Sequence, residues 1–427
     1  MRGRIFVLFS ISFFASQAQF KNIRITNIET GYSVSISAIV NPKNTANSSA
    51  NIGGRLFYTQ DAGATWNESG SVTASNGSST YLTADAKGHT YFFWSAKTDA
   101  QGVASDAGTH RILVKKSEDG GNSWQENGFI AADVTKDQLY PRVTIHPRKH
   151  TLLAVWTQFD KLGLKEAACQ SLVYLGRSGG GKKWSPPIQV SRDPGDCMDG
   201  ENRAGGTTPV ISMDDKAYIA WSNRETIFFD RSYDGTTWLG EDLALTKQPG
   251  GWSMPVPGIG EVNGMPVLMI DNSTNPYHGS IYIVWADQRN GKDDTDIWIM
   301  RSSNRGDNWT QPLRVNQDAP GKHQFMPWST IDQATGHVYI VFYDRREHDD
   351  AQTDVYIAYS VDGGNSFKEK KISENVFTPT EGKPFSTQNA VAAHKGVITP
   401  VWTRSDHGQL SVWSAVINES DLLNSKQ

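Results

Sequence analysis

The chain has 427 residues, a formal net charge of −4 and 11% aromatic residues. The slightly acidic balance argues against a general nucleic-acid-binding protein, because phosphate backbones are bound by basic surfaces. Helical periodicity is almost absent, and short apolar runs alternate with turns rich in Gly, Asn and Asp, so we predict an all-β fold.

The first 18 residues have the features of a secretory signal peptide. Arg2 and Arg4 precede an apolar run over 5–15, and Ser16-Gln17-Ala18 offers a small-x-small cleavage site. We therefore expect a signal peptide over 1–18 and a secreted or periplasmic protein. No later run approaches the roughly 18 apolar residues that a spanning helix needs, so no membrane span is expected.

An eight-residue turn pattern recurs along the chain. It places Asp or Asn, then Gly, then a final aromatic residue at constant spacing after an apolar strand. Asp and Asn bond their own backbone two residues on and Gly supplies positive φ, so each copy predicts a hairpin turn. The copies centre on Asp61, Asp119, Asp234, Asn304 and Asp362, and a degraded copy ends at Trp184.

This pattern resembles the Asp-box, or bacterial neuraminidase repeat, of sialidase-like β-propellers. The copies extend over most of the chain after the signal peptide. The resemblance implies a propeller in which these Asp residues are structural. It implies less about activity, because one fold hosts many chemistries.

A second repeat runs out of step with the Asp-box turns. It is an apolar strand that ends in an aromatic residue, and its copies end at Trp94, Trp156, Trp221, Trp285, Phe342 and Trp402. Each follows another strand and a polar turn. One unit therefore reads strand, turn, aromatic-ended strand, loop, strand, Asp-box turn and strand, which is a four-stranded propeller blade.

The offset between the two repeats sets the number of blades. The first Asp-box turn has no aromatic-ended strand before it, and the strand ending at Trp402 has no Asp-box turn after it. This favours seven blades, with six as the alternative because sialidases have six. The last unit lacks an outer strand, which residues 20–25 can supply to close the ring. We expect one propeller domain over 19–420 and a C-terminal tail over 421–427.

The chain contains two cysteines, Cys169 and Cys197. Both fall in loops that the blade pattern assigns to one face, and cysteines in an oxidising compartment can pair. A disulfide is favoured, with two buried thiols as the alternative.

The loops that follow the aromatic-ended strands lie on the face opposite the Asp-box turns. They carry Arg224, Arg289, Arg345 and Arg404, together with Asp287 and Asp344. A ring of planar, permanently charged Arg forks suits the carboxylate or sulfate of an acidic sugar. The alternative is a set of internal Asp–Arg salt bridges that fix the loops.

The connections between blades add further candidates on the same face. They carry Tyr140, Arg142, Asp199, Glu201, Arg203, Trp252, Glu261, His323, Trp328, Glu381 and Lys383. Arg142, Trp252 and Trp328 join the four loop arginines as candidate substrate-binding residues, because aromatic rings can stack on sugars. The candidate catalytic residues are Asp287, Asp344, Tyr343 and His323.

The family resemblance implies a glycoside hydrolase of the sialidase kind that acts on acidic glycans. Sialidases hold the substrate carboxylate with three Arg, which Arg224, Arg289, Arg345 and Arg404 would supply, and use a Tyr nucleophile with a Glu and an Asp. The Arg-Ile-Pro signature of the family is absent; Pro141-Arg142-Val143 is the nearest match. No Tyr–Glu pair can be assigned from the sequence.

Two other functions stay open. Some ulvan lyases are seven-bladed propellers, and a lyase acting on uronic-acid glycans needs a Tyr or His base with an Arg or metal beside it. Tyr140, His323, Tyr343 and His407 are the candidate bases. The third function is a non-catalytic propeller that binds a glycan or protein, which repeated, similar loops would suit.

No cofactor is required by these functions. The aspartates at 293, 294, 296, 349, 350 and 354 can bond loop backbones or hold a structural Ca²⁺ through oxygen ligands. The expected partner is an acidic glycan or polysaccharide, and the expected state is a monomer.

Overall fold

The computed structural model describes residues 20–28, 34–73, 79–99, 103, 105–130, 132–200, 202–383 and 385–424. The predicted signal peptide, 1–18, and Glu201 lie outside the described residues. None of the described helices is both long and apolar enough to cross a membrane.

The described strands form seven four-stranded antiparallel blades, which confirms the seven-bladed propeller. Blades 1 to 3 consist of β2 (Ile36–Val40), β3 (Ser48–Ile52), β4 (Arg55–Thr59) and β5 (Asn67–Thr73); β6 (Thr80–Ala84), β7 (Thr90–Thr98), β8 (Thr109–Ser117) and β9 (Gln125–Phe129); β10 (Asp137–Ile145), β11 (Leu152–Phe159), β12 (Ser171–Ser178) and β13 (Ile188–Gln189). Blades 4 and 5 consist of β14 (Gly205–Ile211), β15 (Ala217–Asn223), β16 (Thr226–Ser232) and β17 (Leu243–Lys247); β20 (Val267–Ile270), β21 (Ile281–Asp287), β22 (Asp296–Ser302) and β23 (Leu313–Arg314). Blades 6 and 7 consist of β24 (Gln324–Ile331), β25 (Val338–Asp344), β26 (Asp354–Ser360) and β27 (Lys368–Lys371); β28 (Ala390–His394), β29 (Val397–Asp406), β30 (Gln409–Ala415) and β1 (Asn22–Ile28).

The first strand of each blade lies innermost. These strands contact one another in sequence around the ring, and β2 of blade 1 contacts β28 of blade 7. They therefore surround the central channel. The aromatic ends of the second strands fill the space between sheets: Trp156, Trp221 and Trp285 are fully buried. Large aromatic side chains of this kind supply much of the burial that holds such a core together.

The N-terminal strand closes the ring, as predicted. β1 pairs antiparallel with β30, with Asn22 opposite Ala415 and Ile28 opposite Leu410. Phe20, just before the strand, is buried. The last blade thus gains its fourth strand, and its edge no longer offers unpaired backbone groups.

The chain continues in the fold beyond the last blade. β31 (Ile417–Asn418) pairs with β29 and leads into α1 (Glu419–Asn424). Leu422 is fully buried, and its carbonyl accepts a 3.0 Å hydrogen bond from the Tyr359 hydroxyl. The tail predicted over 421–427 therefore begins inside a packed helix, and the fold extends through 424.

A two-stranded hairpin that the sequence analysis did not predict lies between blades 4 and 5. It consists of β18 (Ser253–Val256) and β19 (Gly260–Asn263). Its apolar side chains Met254, Val256 and Val262 belong to the same buried cluster as Phe325 of blade 6. The hairpin is thus packed onto the propeller rather than projecting into solvent.

The recurring turns centred on Asp61, Asp119, Asp234, Asn304 and Asp362 connect the third and fourth strands of their blades, and we call their side of the ring the turn face. Asp119 accepts 2.8 Å bonds from the Ser117 hydroxyl and the Ser123 backbone N–H, and a 2.6 Å bond from the Ser123 hydroxyl. Burial raises the pKa of this carboxyl, but the hydrogen bonds outweigh it and the pKa is lowered. The carboxylate is thus engaged within its own turn. The opposite side, with the inter-blade connections, is called the mouth face.

Candidate functional site

The loop arginines of blades 5 to 7 are paired with carboxylates of their own loops. Arg289 Nη2 lies 2.6 Å from Asp287 Oδ2, and its guanidinium covers the Trp298 ring with the carbon 4.5 Å from the centroid. Asp287 is fully buried, and it also accepts a 2.7 Å hydrogen bond from the Trp285 indole. This arrangement is a structural salt bridge within blade 5.

The same arrangement occurs in the next two blades. In blade 6 the arginine is Arg346, not Arg345: its Nη2 lies 2.6 Å from Asp344 Oδ2, and its Nη1 lies 2.8 Å from Glu369 Oε2. In blade 7, Arg404 Nε lies 2.6 Å from Asp406 Oδ2. We call the pairs Asp287–Arg289, Asp344–Arg346 and Asp406–Arg404 the clamps. Asp287 and Asp344 are buried inside them and have no surface for a substrate.

The other two loop arginines also lie apart. Arg345 is buried, with 2.6 Å and 3.1 Å hydrogen bonds from Nη1 to the Pro257 carbonyl and from Nε to Thr353 Oγ1. Burial lowers its pKa to about 10. Arg224 is exposed in the tight turn between β15 and β16, with φ of 47°. The four arginines predicted to share one mouth therefore have separate surroundings: Arg289 and Arg404 are paired within their blades, Arg345 bonds the hairpin, and Arg224 is exposed.

Two of the proposed catalytic residues are buried between blades. Tyr343 is fully buried; its hydroxyl donates a 2.8 Å hydrogen bond to the Thr403 carbonyl, and burial raises its pKa. His323 Nδ1 lies 3.1 Å from Thr295 Oγ1, and burial, with Arg345 nearby, lowers the His323 pKa. Tyr343 in particular has no access to a ligand.

A different set of residues meets at the channel, where two innermost strands contain bulges. The register shifts between Leu139 and Arg142 in β10 and between Phe325 and Trp328 in β24. Tyr140 and Met326 take positive φ values of 58° and 51°, which is uncommon for residues other than Gly. Bulges redirect side chains, and here they bring the Arg142 guanidinium carbon within 5.6 Å of the Trp328 ring centroid.

Arg142 is a buried charge whose described hydrogen-bond partners include no carboxylate. It is 9% exposed; Nη2 donates to Gln388 Oε1 at 2.6 Å and Nη1 to the Pro141 carbonyl at 3.1 Å. Burial lowers its pKa to about 10, and Arg203 contributes to the shift. At neutral pH this guanidinium is therefore still charged, and an uncompensated buried charge is costly.

Arg203 lies beside it, between two aromatic rings. Its guanidinium carbon is 3.9 Å from the Tyr140 ring centroid and 4.4 Å from that of Trp252. Nε lies 2.9 Å from Asp199 Oδ1, and Nη1 has no hydrogen-bond partner among the described residues. Arg203 is only 2% exposed, so this N–H is a buried donor that no described residue satisfies.

Tyr140 completes the group. Its hydroxyl donates a 2.5 Å hydrogen bond to Asp199 Oδ2, and its backbone N–H donates to Ser79 Oγ at 2.8 Å. Burial raises the pKa of the phenol; Arg203 opposes this shift, and Asp199 adds to it. The phenol thus carries its proton at neutral pH, and the hydrogen bond places a carboxylate in position to accept it.

We call this group the mouth cluster; its members are Tyr140, Arg142, Asp199, Arg203, Trp252 and Trp328. The sequence predicts substrate binding by Arg142, Trp252 and Trp328 and a candidate base at Tyr140. It assigns no role to Asp199 and Arg203. The signal that points to the cluster is an aromatic residue or Met before Pro at the start of an innermost strand, as in Tyr140-Pro141-Arg142 and Met326-Pro327-Trp328.

The aspartates considered for calcium make other contacts. Asp296 is bound by Arg314 at 2.6 Å, and Asp354 by His348 and Lys371, each at 2.9 Å. Among the described residues, no three His, Cys, Asp or Glu side chains are grouped so as to hold a metal ion. A structural Ca²⁺ stays a prediction.

The two cysteines lie directly behind the mouth cluster. Cys169 and Cys197 form a disulfide, with Cα atoms 5.7 Å apart. Both belong to a small buried cluster with Leu139 and Phe159, against which Tyr140 packs.

Comparisons with known proteins found similar solved structures but no related sequence. No family model matches the chain, and no curated protein matches it in sequence. Among solved structures, an ulvan lyase of polysaccharide lyase family PL25, bound to -[GlcA(1-4)Rha3S]-, matches with TM-score 0.55 and 12% identity over 93% of this chain and 96% of that one.

Two further matches are glycosidases. The GH93 α-L-arabinofuranosidase of Fusarium graminearum with arabinobiose has TM-score 0.51 and 12% identity over 94% of this chain and 98% of that one. A Hadza microbial sialidase has TM-score 0.47 and 13% identity over 87% and 73%. At such identities the likeness to the ulvan lyase and the arabinofuranosidase shows a shared propeller fold. These structural neighbours are carbohydrate-active enzymes.

Proposed function

We propose that the protein is a polysaccharide lyase that binds a uronate-containing glycan at the mouth cluster and cleaves it by β-elimination. The observation that carries the proposal is the pair Arg142 and Arg203, two buried guanidiniums with Tyr140 against one of them. One is without a carboxylate partner and the other has an unpaired N–H.

Binding follows from the charge balance. A buried charge without a counter-ion costs free energy that an incoming carboxylate recovers. Guanidinium and carboxylate are matched in geometry, and such charge-assisted hydrogen bonds are roughly twice as strong as neutral ones. Arg142 and the free Nη1 of Arg203 are therefore suited to the carboxylate of a uronic acid. Trp328, half-buried beside Arg142, offers a ring against which a sugar can pack.

The chemistry follows from the position of Tyr140. A uronate carboxylate neutralised by arginine makes the neighbouring C5–H more acidic. The phenolate of Tyr140 removes this proton, the C–H electron pair forms the C4–C5 double bond, and the C4–O bond breaks. The leaving oxygen then takes a proton from the Tyr140 hydroxyl. The phenolate arises when Tyr140 passes its proton to Asp199, 2.5 Å away, and the Arg203 charge over the ring stabilises it.

The ulvan lyase that shares this fold is bound to an oligosaccharide containing glucuronate, which supports an elimination on an acidic sugar. The fold likeness by itself does not carry the proposal, because glycosidases share it too.

Purified protein incubated with a panel of uronate polysaccharides tests the proposal. Elimination leaves an unsaturated uronate at each new non-reducing end, so we expect ultraviolet absorbance to rise in step with new reducing ends. Reducing ends that appear without absorbance would mean hydrolysis instead.

Sialidase-like hydrolysis is the second candidate, favoured by one contact. Sialidases use a Tyr nucleophile activated by Glu, and Tyr140 here bonds the carboxylate of Asp199. Release of the fluorophore from a fluorogenic sialoside, with no unsaturated product from any uronate polymer, would select this candidate.

A further inference from the structure

The disulfide joins two loops of the mouth face. Cys169 lies in the loop between β11 and β12, and Cys197 lies in the connection from blade 3 to blade 4. Cys197 is fully buried and Cys169 is 6% exposed. The bond therefore lies inside the protein, beneath the segment that carries Asp199 and Arg203.

That segment, 195–203, is called the anchored loop. At its base, Gly195 and Ser171 exchange two backbone hydrogen bonds of 2.9 Å, and Asp196 N–H donates to the Asn202 carbonyl at 3.0 Å. Cys197 is the single buried residue among the described residues from 196 to 202, while Met198 and Asp199 are exposed. The disulfide thus attaches the middle of the loop to the core, and the buried Arg203 side chain holds its end.

The same disulfide supports the other partner of the site. Tyr140 packs against the cluster of Leu139, Phe159 and the two cysteines, with its ring centroid 6.4 Å from that of Phe159. Tyr140 packs against the cluster that contains the disulfide, and Asp199 lies two residues from Cys197. Both partners of the hydrogen bond therefore adjoin the same disulfide.

We propose that the Cys169–Cys197 disulfide is a positioning element of the site, which holds Asp199 and Arg203 in register with Tyr140. The inference rests on the proposed function for its effect on turnover, but not for its effect on the loop. It makes the activity depend on the oxidised state of the pair, because breaking the bond removes the one covalent link between the anchored loop and the loop from β11 to β12.

The test is the double variant Cys169→Ala/Cys197→Ala, followed by hydrogen–deuterium exchange and by kcat and KM on a cleaved polysaccharide. We expect faster exchange in 195–204 and around Tyr140, and a fall in kcat of about 100-fold, the order expected when reacting groups are misplaced by about 1 Å. The matched control is Leu422→Ala, which truncates a fully buried side chain of α1, the helix that follows the last blade. It should lower the unfolding temperature and leave kcat unchanged.

If the double variant does not fold, the native protein is reduced with dithiothreitol, alkylated and measured in the same way. Unchanged exchange in the anchored loop, or faster exchange with unchanged kcat, overturns the proposal. Exchange is read without substrate, so faster exchange in a protein that cleaves no polysaccharide would identify the proposed function, not the anchoring, as the failure.

Discussion

The clamps and the mouth cluster place arginines on the same face of the ring, but in opposite electrostatic situations. In the clamps, each guanidinium meets a carboxylate two residues away, and the pair also covers an aromatic ring. In the mouth cluster, Arg142 bonds an amide and a carbonyl, and Arg203 keeps an unpaired donor. The clamp arginines therefore hold loops, whereas Arg142 and Arg203 keep the hydrogen-bonding capacity that we propose an anion uses.

The largest expected effect is on chemistry at Tyr140. Tyr140→Phe removes the base while keeping the ring on which Arg203 stacks, so we expect kcat to fall by about 10²–10⁴, the usual range for losing a proton-transfer group. The measurement is the initial rate of unsaturated product formation. Tyr343→Phe is the control: it should retain turnover and lose about 1 kcal/mol of stability with its hydrogen bond to Thr403.

The clamps should respond in stability and not in turnover. Arg346→Met leaves the buried Asp344 carboxylate without its main cation, which should cost roughly 3–5 kcal/mol of unfolding free energy. Denaturant unfolding measures this cost, and kcat of the folded fraction should match that of the wild type. A selective loss of turnover with unchanged stability would mean that Arg346 acts in the site and does not serve as scaffold.

Arg142→Met should impair substrate binding and leave stability unchanged or higher. The variant removes a buried charge that no carboxylate compensates, so unfolding free energy should be unchanged or higher. Substrate binding loses its main counter-charge, and we expect kcat/KM to fall about 100-fold, equivalent to about 3 kcal/mol at 1.4 kcal/mol per decade. If Arg142→Met unfolds as readily as Arg346→Met, the distinction between the two classes of arginine fails.

The smallest expected effect is the pH dependence of stability that comes from Asp137, a buried carboxylate of β10. Burial would raise the pKa of Asp137, but hydrogen bonds from His110 and Leu162 lower it from 3.8 to about 2. A lowered pKa means stability that is present above the unfolded pKa and lost as pH falls toward 2. The shift corresponds to about 2 kcal/mol. Unfolding at pH 5 and pH 2 should show this loss in the wild type and not in Asp137→Asn.

The fold could be predicted because its signals are local. Asp-box turns and aromatic-ended strands each repeat within one blade, and their offset gave seven blades and the closing role of residues 20–25. The hairpin over 253–263 was missed because it belongs to no repeat. Helix α1 was missed because six residues carry too little periodicity, and the burial of Leu422 depends on a distant blade.

The site was predicted only in part, for a different physical reason. The sequence shows an Asp two residues from Arg289, but not whether the guanidinium turns to that carboxylate or to the channel. In the structure the Arg289 guanidinium is paired with Asp287. The contact between Tyr140 and Asp199 joins residues 59 apart in sequence, one in a bulged strand and one in a loop, and no local pattern specifies it.

The central claim is that the mouth cluster recognises a carboxylate. The direct measurement is calorimetric titration of the Tyr140→Phe variant, which should bind without cleaving, with an oligosaccharide of a uronate polymer that the wild type cleaves and with its carboxyl-reduced counterpart. The two ligands differ only in the charged group. We expect the acidic oligosaccharide to bind about 100-fold more tightly, and this preference to disappear when Arg142→Met is added. Equal affinities for the two ligands would contradict the account.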